Sequence, residues 1–582
     1  MDKVDINSGK ALKILLCNIA IGVNPTNFPP AGCTSLMNAL LSNGYNNVEF
    51  FDIDLKRPSP EYLYEYFASK QFDIVGISAV VSTGYRYAKE LSLIIKKASP
   101  RTQIILGGNL AAAYKILLKK TKIDICVIGE GETPLLSLVR HYEKYGDITS
   151  LNQELHDIKG IAYLDQDENP VFTGHQPVSN TVEQPDYDLL RRFTDINQYI
   201  LDPLSRRDFA YDPRTYAAHR KGKKLATIFT SKGCINSCTF CHRWVKGYRI
   251  IPVDQVIDIM KGLMNKYNVG FFCITDECFG ENRQWLNEFI DSIRPLDVLF
   301  QIGAARVSLL RHDPAIIKRL REVGLTALYF GMESGSDKML RIMEKNATAA
   351  ENLHTASVCA EAGIFTSIQL VIGMPGENER TINETIEFIK AATGGLPYPP
   401  LLSINYLQAL PGTPTYEFLR HRGFLGQTID DEERYLLDIS DIGANEHKQY
   451  INVSEEPPSK VALWQKKIYF SSRVHWFKKN GYPYRDNKLF HEYDSIETNR
   501  NGIKKVVYMI NFFLFNSKFV SHKTLKRIEN IYWFFLLFKE RHSLYGFRKS
   551  WLITLGILKE EDRTSFKVNG KFPLRQFALE KG

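Results

Sequence analysis

From Lys13 to Gly129 the chain alternates short apolar runs with longer stretches in which apolar positions recur every three or four residues. KILLCN (Lys13–Asn18), VEFFDI (Val48–Ile53), DIVGIS (Asp73–Ser78), QIILGG (Gln103–Gly108) and DICVIG (Asp124–Gly129) read as buried strands. Segments between them, such as YRYAKELSLIIKK (Tyr85–Lys97), read as amphipathic helices. This alternation predicts an α/β domain over 1–145, a doubly wound parallel sheet with ligands at the carboxyl ends of its strands. Over 146–224 the pattern loosens. IAYLDQDENPVF (Ile161–Phe172) reads as a hairpin with a polar turn, followed by Pro- and Asp-rich linker. Six more strand–helix repeats follow over 225–425: LATIFT (Leu225–Thr230), FFCITD (Phe271–Asp276), VLFQIG (Val298–Gly303), ALYFGM (Ala327–Met332), TSIQLVIG (Thr366–Gly373) and LLSINYL (Leu401–Leu407). They predict a second α/β unit, a complete or partial barrel. Residues 426–582 read as helical, basic and rich in aromatics.

Composition narrows the class. A chain of 582 residues, 44% hydrophobic and 24% charged, is globular and too long for one core, so two to four domains are expected. MDKVDINSGKALKILLCNIAIGV contains no continuous apolar stretch of the secretory kind. The longest apolar run, near Ile531–Phe538, is far short of the roughly 20 residues that a membrane span needs. Nine scattered cysteines, three of them within eight positions, suit a reducing compartment and a metal site rather than a disulfide framework. A cytoplasmic protein is expected. From Pro458 onward there are 25 Lys+Arg against 10 Asp+Glu, so the tail carries +15 while the rest of the chain is mildly acidic. Such a tail suits a solvated basic face, an anionic substrate or peripheral membrane contact. Nucleic acid is disfavoured because no RNA-recognition module accompanies the basic residues.

The sharpest chemical signal is SKGCINSCTFCHRW, which puts Cys234, Cys238 and Cys241 in a C-x3-C-x2-C spacing just after a strand. Soft thiolates select iron–sulfur or zinc, and three of them on one loop can hold three irons of a 4Fe–4S cubane and leave the fourth iron open. Structural zinc is the alternative, but it takes four protein ligands, and His242 directly beside Cys241 has poor geometry for the fourth. Further polar residues recur just past successive strands. Carboxylates there suit a cationic amine, and a guanidinium suits a carboxylate.

With an aromatic, Phe240, before the third cysteine, this loop resembles the radical S-adenosylmethionine (radical SAM) superfamily. The resemblance implies that the open iron is chelated by the methionine part of S-adenosylmethionine, whose reductive cleavage gives a 5′-deoxyadenosyl radical. It implies an electron donor such as flavodoxin or ferredoxin. Phe240 would then contact adenine, Asp276 and Glu277 the methionine ammonium, Arg306 its carboxylate, and Glu333 and Ser334 the ribose or amino group, with IGMPGE (Ile372–Glu377) beside adenine. Cys278 faces either the core or the cavity, where it would serve as a redox or hydrogen-donor group.

Residues 11–145 resemble the cobalamin-binding, flavodoxin-like domain fused to many radical SAM enzymes, on the strength of VGISAVVSTGY (Val75–Tyr85), LGGNLAA (Leu106–Ala112) and VIGEGET (Val127–Thr133). That resemblance assigns Gly107, Gly108, Gly129, Glu130 and Gly131 to turns that admit a flat ligand and its nucleotide tail, and Ser78, Ser82 and Thr83 to bonds with the tail. No histidine precedes His141, so the D-x-H-x-x-G cobalt ligand of many such domains is missing and cobalamin is expected base-off. The implied function is cobalamin-dependent methyl transfer to an unactivated carbon or phosphorus of a specialised metabolite or lipid-like small molecule. Alternatives are an oxidoreductase or cyclase on a porphyrin-like or lipid skeleton, a tRNA methylthiotransferase using Cys17, Cys33 and Cys126 for a second cluster, and a non-catalytic sensor. The tail over Asn501–Trp551 is expected to cover the active-site cavity.

Overall fold

The computed structural model describes residues 12–480 and 522–560, apart from 23, 150–152, 178, 243–246, 312, 314, 399 and 441–448. The first sheet has the order β2-β1-β3-β4-β5-β6-β7. Its strands are β1 (Ile14–Asn18), β2 (Val48–Asp52), β3 (Ile74–Ser78), β4 (Gln103–Gly107), β5 (Ile125–Val127), β6 (Ile161–Leu164) and β7 (Pro170–Phe172). The first five are parallel and match the five apolar runs to within two residues. Isoleucine, leucine and valine on both faces are covered by helices, which is why these strands carry no polar alternation. The hairpin expected in the linker pairs antiparallel with β5 and extends this sheet to Phe172, past the expected boundary at 145.

The second sheet is parallel and open, in the order β15-β14-β13-β12-β11-β8. Its strands are β8 (Lys224–Ile228), β11 (Val269–Ile274), β12 (Leu299–Ala305), β13 (Leu325–Glu333), β14 (Ile368–Ile372) and β15 (Leu402–Tyr406). All six repeats form strands, and the barrel is a partial one. A two-stranded ribbon, β9 (Ser231–Gly233) with β10 (Tyr248–Ile250), brackets the cysteine loop.

An open sheet leaves an edge of unpaired backbone groups. At β15 that edge is covered by the tail helix Pro458–Asn480. Gln465 Nε2 donates to the Ile404 carbonyl at 2.8 Å, Tyr469 Oη donates to that of Leu402, and Trp464 is fully buried beneath. The tail was expected over the cavity mouth. Instead, the helix Pro458–Asn480 lies along the sheet edge and over the helix Glu379–Thr393, because the edge carbonyls and that helix's apolar face are what needed covering, and the helix His522–Tyr545 packs on Pro458–Asn480. Residues 501–521 of the expected cap lie outside the described residues.

Candidate active site at the carboxyl ends of the second sheet

The cysteine loop leaves the end of β9 and is laced to the segment Ile342–Lys345. Thr239 N donates to the Met343 carbonyl at 3.0 Å, Thr239 Oγ1 to that of Ile342 at 3.2 Å, and Asn236 Nδ2 to that of Lys345 at 3.3 Å. Thr415 ties the loop from the other side through the Thr239 carbonyl, at 2.8 Å. Cys234, Cys238 and Cys241 are all free thiols, from buried Cys238 to exposed Cys241. Among the described residues no three His, Cys, Asp or Glu meet closely enough to hold one metal ion. Thiolates that each take a different iron of a cubane have no need to meet at a point.

The thiols are held unequally. Cys234 is lowered to about 6, chiefly by a hydrogen bond with Cys278, helped by the Asn236 N–H and Arg306. Cys278 is raised by the same contact and lies fully buried, with its Sγ 3.3 Å from Glu281 Oε1. Cys238 is raised by burial, against the pull of Lys345.

Charged groups from β12, β13 and the following loop converge on the thiols. Arg306, just past β12, is 8% exposed. Its Nη2 donates to the Lys345 carbonyl at 3.1 Å, while its Nε is buried with no partner. An orphaned guanidinium N–H is what a ligand carboxylate requires. Glu333 ends β13 at φ +62°, and its Oε1 accepts from Lys345 Nζ at 2.8 Å. Gly331 makes room for that pair, since a Cβ there would stand 2.4 Å from Glu333 Oε1 and 3.0 Å from Lys345 Nζ. Burial works against a charged Lys345, but Glu333 and Cys238 hold its amine above the ordinary range. Lys345 sits between Glu344 and Asn346, both in left-handed backbone at φ +52°.

The remaining expected residues divide. Glu277 is exposed and near enough to Cys234 and Cys241 to raise both. Asp276 is buried and occupied. It accepts from Thr230 N at 2.7 Å, Thr230 Oγ1 at 2.5 Å and Ser231 Oγ at 2.7 Å, joining the end of β11 to the approach of the cysteine loop. Ser334 is buried against Thr385, 3.1 Å between the hydroxyls, inside the turn after β13. Phe240 packs partly buried against the core shared with the first sheet. In the GMPGE loop Glu377 is fully buried. It accepts from Gly373 N at 2.5 Å and Met374 N at 3.1 Å, leaves Oε1 without a partner, and is raised by burial to about 7.

At the facing domain, the carboxyl ends of β1, β3, β4 and β5 enclose a cavity of about 270 Å³ lined by Cys33, Ser78, Gly107, Gly108, Gly129 and Gly131, among others. Gly108 has φ +91°, and a Cβ there would lie 2.5 Å from the Ala79 carbonyl oxygen. At Gly129, φ +96°, nothing stands within 4 Å, so the backbone is open to a ligand. Ser78 lies at the rim, Ser82 is buried nearby and Thr83 is partly exposed. Glu130 also lines the cavity, but its carboxylate is already engaged. Its Oε1 is paired with Arg249 of β10 and lies 3.4 Å from Lys232 of β9, and its Oε2 accepts from Ser179 N at 3.2 Å. Ser82 Oγ lies 3.5 Å from Nε2 of His242, the residue after Cys241. Burial lowers that imidazole to about 4, so it is neutral, and its Nδ1 is buried without a partner.

Residues 228–389 match the radical SAM superfamily, and residues 18–139 match the B12 binding domain. The chain carries a radical SAM domain and a B12-binding domain. It is 29% identical over 403 residues to the anaerobic magnesium-protoporphyrin IX monomethyl ester cyclase of Cereibacter sphaeroides, covering 68% of this chain and 60% of that one. It is 26% identical over 365 residues to an uncharacterised methyltransferase of Pyrococcus horikoshii, covering 60% and 69%. The chain spans about 60% of the length of the curated cyclases it matches. In fold it resembles the cobalamin-dependent S-adenosylmethionine radical enzyme OxsB (TM-score 0.59, 15% identity, 95% of this chain and 82% of that one). It also resembles the radical S-adenosylmethionine methyltransferase TsrM of Kitasatospora setae (TM-score 0.53, 19% identity, 71% and 76%).

Within the B12-binding domain the cysteines needed for a second cluster do not converge. Cys17 on β1 and Cys126 on β5 are three strand steps apart, roughly 14 Å at the usual strand spacing. All three of Cys17, Cys33 and Cys126 are buried in the core. In the radical SAM domain, Lys345 and the contact of His242 with Ser82 escaped sequence reasoning. Lys345 lies in no motif, and His242 stands far along the chain from the domain it touches.

Proposed function

We propose that this chain is a cobalamin-dependent radical SAM enzyme that transfers a methyl group to an unactivated centre of a small, mostly apolar molecule. The observation that carries the reading is the cysteine loop held between two complementary ends, the charged rim of the radical SAM domain and the glycine-lined cavity of the B12-binding domain. A bound 4Fe–4S cluster would supply the electron that breaks the C5′–S bond of S-adenosylmethionine. Cys234, Cys238 and Cys241 would hold it, Arg306 Nε would take the ligand's carboxylate, and Glu277 would face its ammonium. Asp276 and Ser334 position the loops from beneath. Glu333 is engaged by Lys345, so the pair acts as a neutralised unit beside the thiols. Gly107, Gly108 and Gly129 would admit the cobalamin tail, with Ser78, Ser82 and Thr83 around its entrance. An external one-electron donor of the flavodoxin or ferredoxin type completes the scheme.

The relatives named as cyclases support a second reading, oxidative ring formation on a porphyrin-like or lipid skeleton. Anaerobic reconstitution should give about four irons per chain. The triple Cys234→Ala/Cys238→Ala/Cys241→Ala variant should lose both iron and 5′-deoxyadenosine formation while keeping cobalamin uptake. Reductive cleavage by the triple variant would overturn the proposal. With substrate, a mass gain of one methylene unit supports methyl transfer, and a loss of hydrogen supports the cyclase.

A further inference from the structure

The tail carries a helix pair whose amphipathic character is inverted. The helix His522–Tyr545 faces the protein with its polar and ring anchors. Glu540 is buried and pairs with Lys466 at 2.7 Å, and Trp533 packs edge-on against Phe470. On the opposite side, Ile531, Phe534 and Phe535 are 56%, 48% and 64% exposed, and with Phe538 they follow the i, i+3, i+4, i+7 spacing of one helical stripe. The next helix, Phe547–Thr554, repeats the arrangement, with Ser550 and Ile553 buried and Phe547 and Trp551 exposed. Phe538 joins the two stripes, its ring 4.9 Å from that of Trp551 and 6.0 Å from that of Phe547. Leu555 and Ile557 extend the surface. Single exposed apolar residues need no explanation, but a continuous stripe over two helices does.

Charge selects what meets this face. From His522 to Glu560 there are eight Lys and Arg against three acids. Glu540 is buried on Lys466, and Glu560 is paired with Arg541 at 3.1 Å. Arg527, Lys539, Arg548 and Lys559 are exposed. A second copy docked about a two-fold axis would bring these cations against each other. No helix among the described residues is long and apolar enough to cross a membrane. Rings that can enter the acyl boundary, within a ring of cations, fit the interface of an anionic bilayer.

We infer that the face formed by Ile531, Phe534, Phe535, Phe538, Phe547 and Trp551 seats the enzyme on an anionic lipid surface, with its cations on the headgroups. The inference stands independently of the radical chemistry, because no residue of the cysteine loop or the glycine cavity takes part.

The test is flotation of the full-length protein with vesicles of phosphatidylcholine alone and with added phosphatidylglycerol, at low and high salt. The protein should float with the anionic vesicles and be released as salt rises. F534E/F535E should weaken that binding on the order of tenfold or more. It should leave the melting temperature unchanged, because both rings are exposed. K539E/R548E should remove the preference for anionic over neutral vesicles. Absence of flotation with any vesicle, or unchanged flotation of F534E/F535E, would overturn the inference. So would sedimentation showing a dimer that F534E/F535E dissolves, which would assign the face to a second copy.

Discussion

The two sheets present the carboxyl ends of parallel strands to one another but fill them with different chemistry. The carboxyl ends of β1, β3, β4 and β5 enclose a cavity lined mostly by glycine and aliphatic side chains, and charged groups at its wall are paired off, Glu130 with Arg249 and Glu183 with Lys232. The ends of β12 and β13 gather Arg306, Glu333 and Lys345 around three thiols. A flat ligand with a long tail needs open backbone and few desolvated charges, whereas an amino acid zwitterion over a metal cluster needs fixed charges. The same parallel strand ends therefore suit two kinds of ligand, and the side chains there decide between them.

Breaking the charged end should have the largest effect. Lys345→Met leaves Glu333 buried and unpaired, and loss of a buried partner costs about 3–5 kcal/mol. Denaturant unfolding of the cluster-free protein should register that loss, and S-adenosylmethionine binding should weaken in the reconstituted one. A stability within error of wild type would mean that Glu333 finds another partner.

The next effect is a pH dependence at the same end. Burial raises Glu377 from the ordinary carboxylate range to about 7, so the folded state holds this proton more tightly than the unfolded state does. Its contribution to stability is fully present below about pH 4 and declines until the pH passes 7, with a span of at most about 3 kcal/mol. Glu377→Gln should flatten that part of the stability profile. An unchanged slope in the variant would assign the pH dependence to other groups.

The glycine-lined end should respond more mildly and in a different measurement. Gly108→Ala puts a Cβ against the Ala79 carbonyl at a left-handed φ, a strain of about 1–3 kcal/mol. Cobalamin uptake should fall while iron content stays at the wild-type level. Equal loss of both cofactors would show that the two ends are not separable.

All eleven parallel strands were legible because each is a short, largely apolar run, and period and burial are local properties. The cysteine spacing was legible for the same reason, since a cluster loop's ligands come from one stretch of chain. Residue roles that rest on what lies opposite were not. Asp276 and Glu333 have the same chemistry in sequence. Yet one is saturated by Thr230 and Ser231, and the other is matched by a lysine twelve residues on.

By itself the sequence determined the two α/β units, their order, the thiol loop and the glycine turns, all of which depend on neighbours within a few residues. Only the tertiary structure decided that Glu130, at the cavity wall, is paired with Arg249 of β10. It also brought His242 against Ser82 from 160 residues away and left the rings of the tail helices facing outward. The physical reason is that a charge or a ring is committed by the partner it meets, and those partners are brought together by packing between domains, at separations that no local period records.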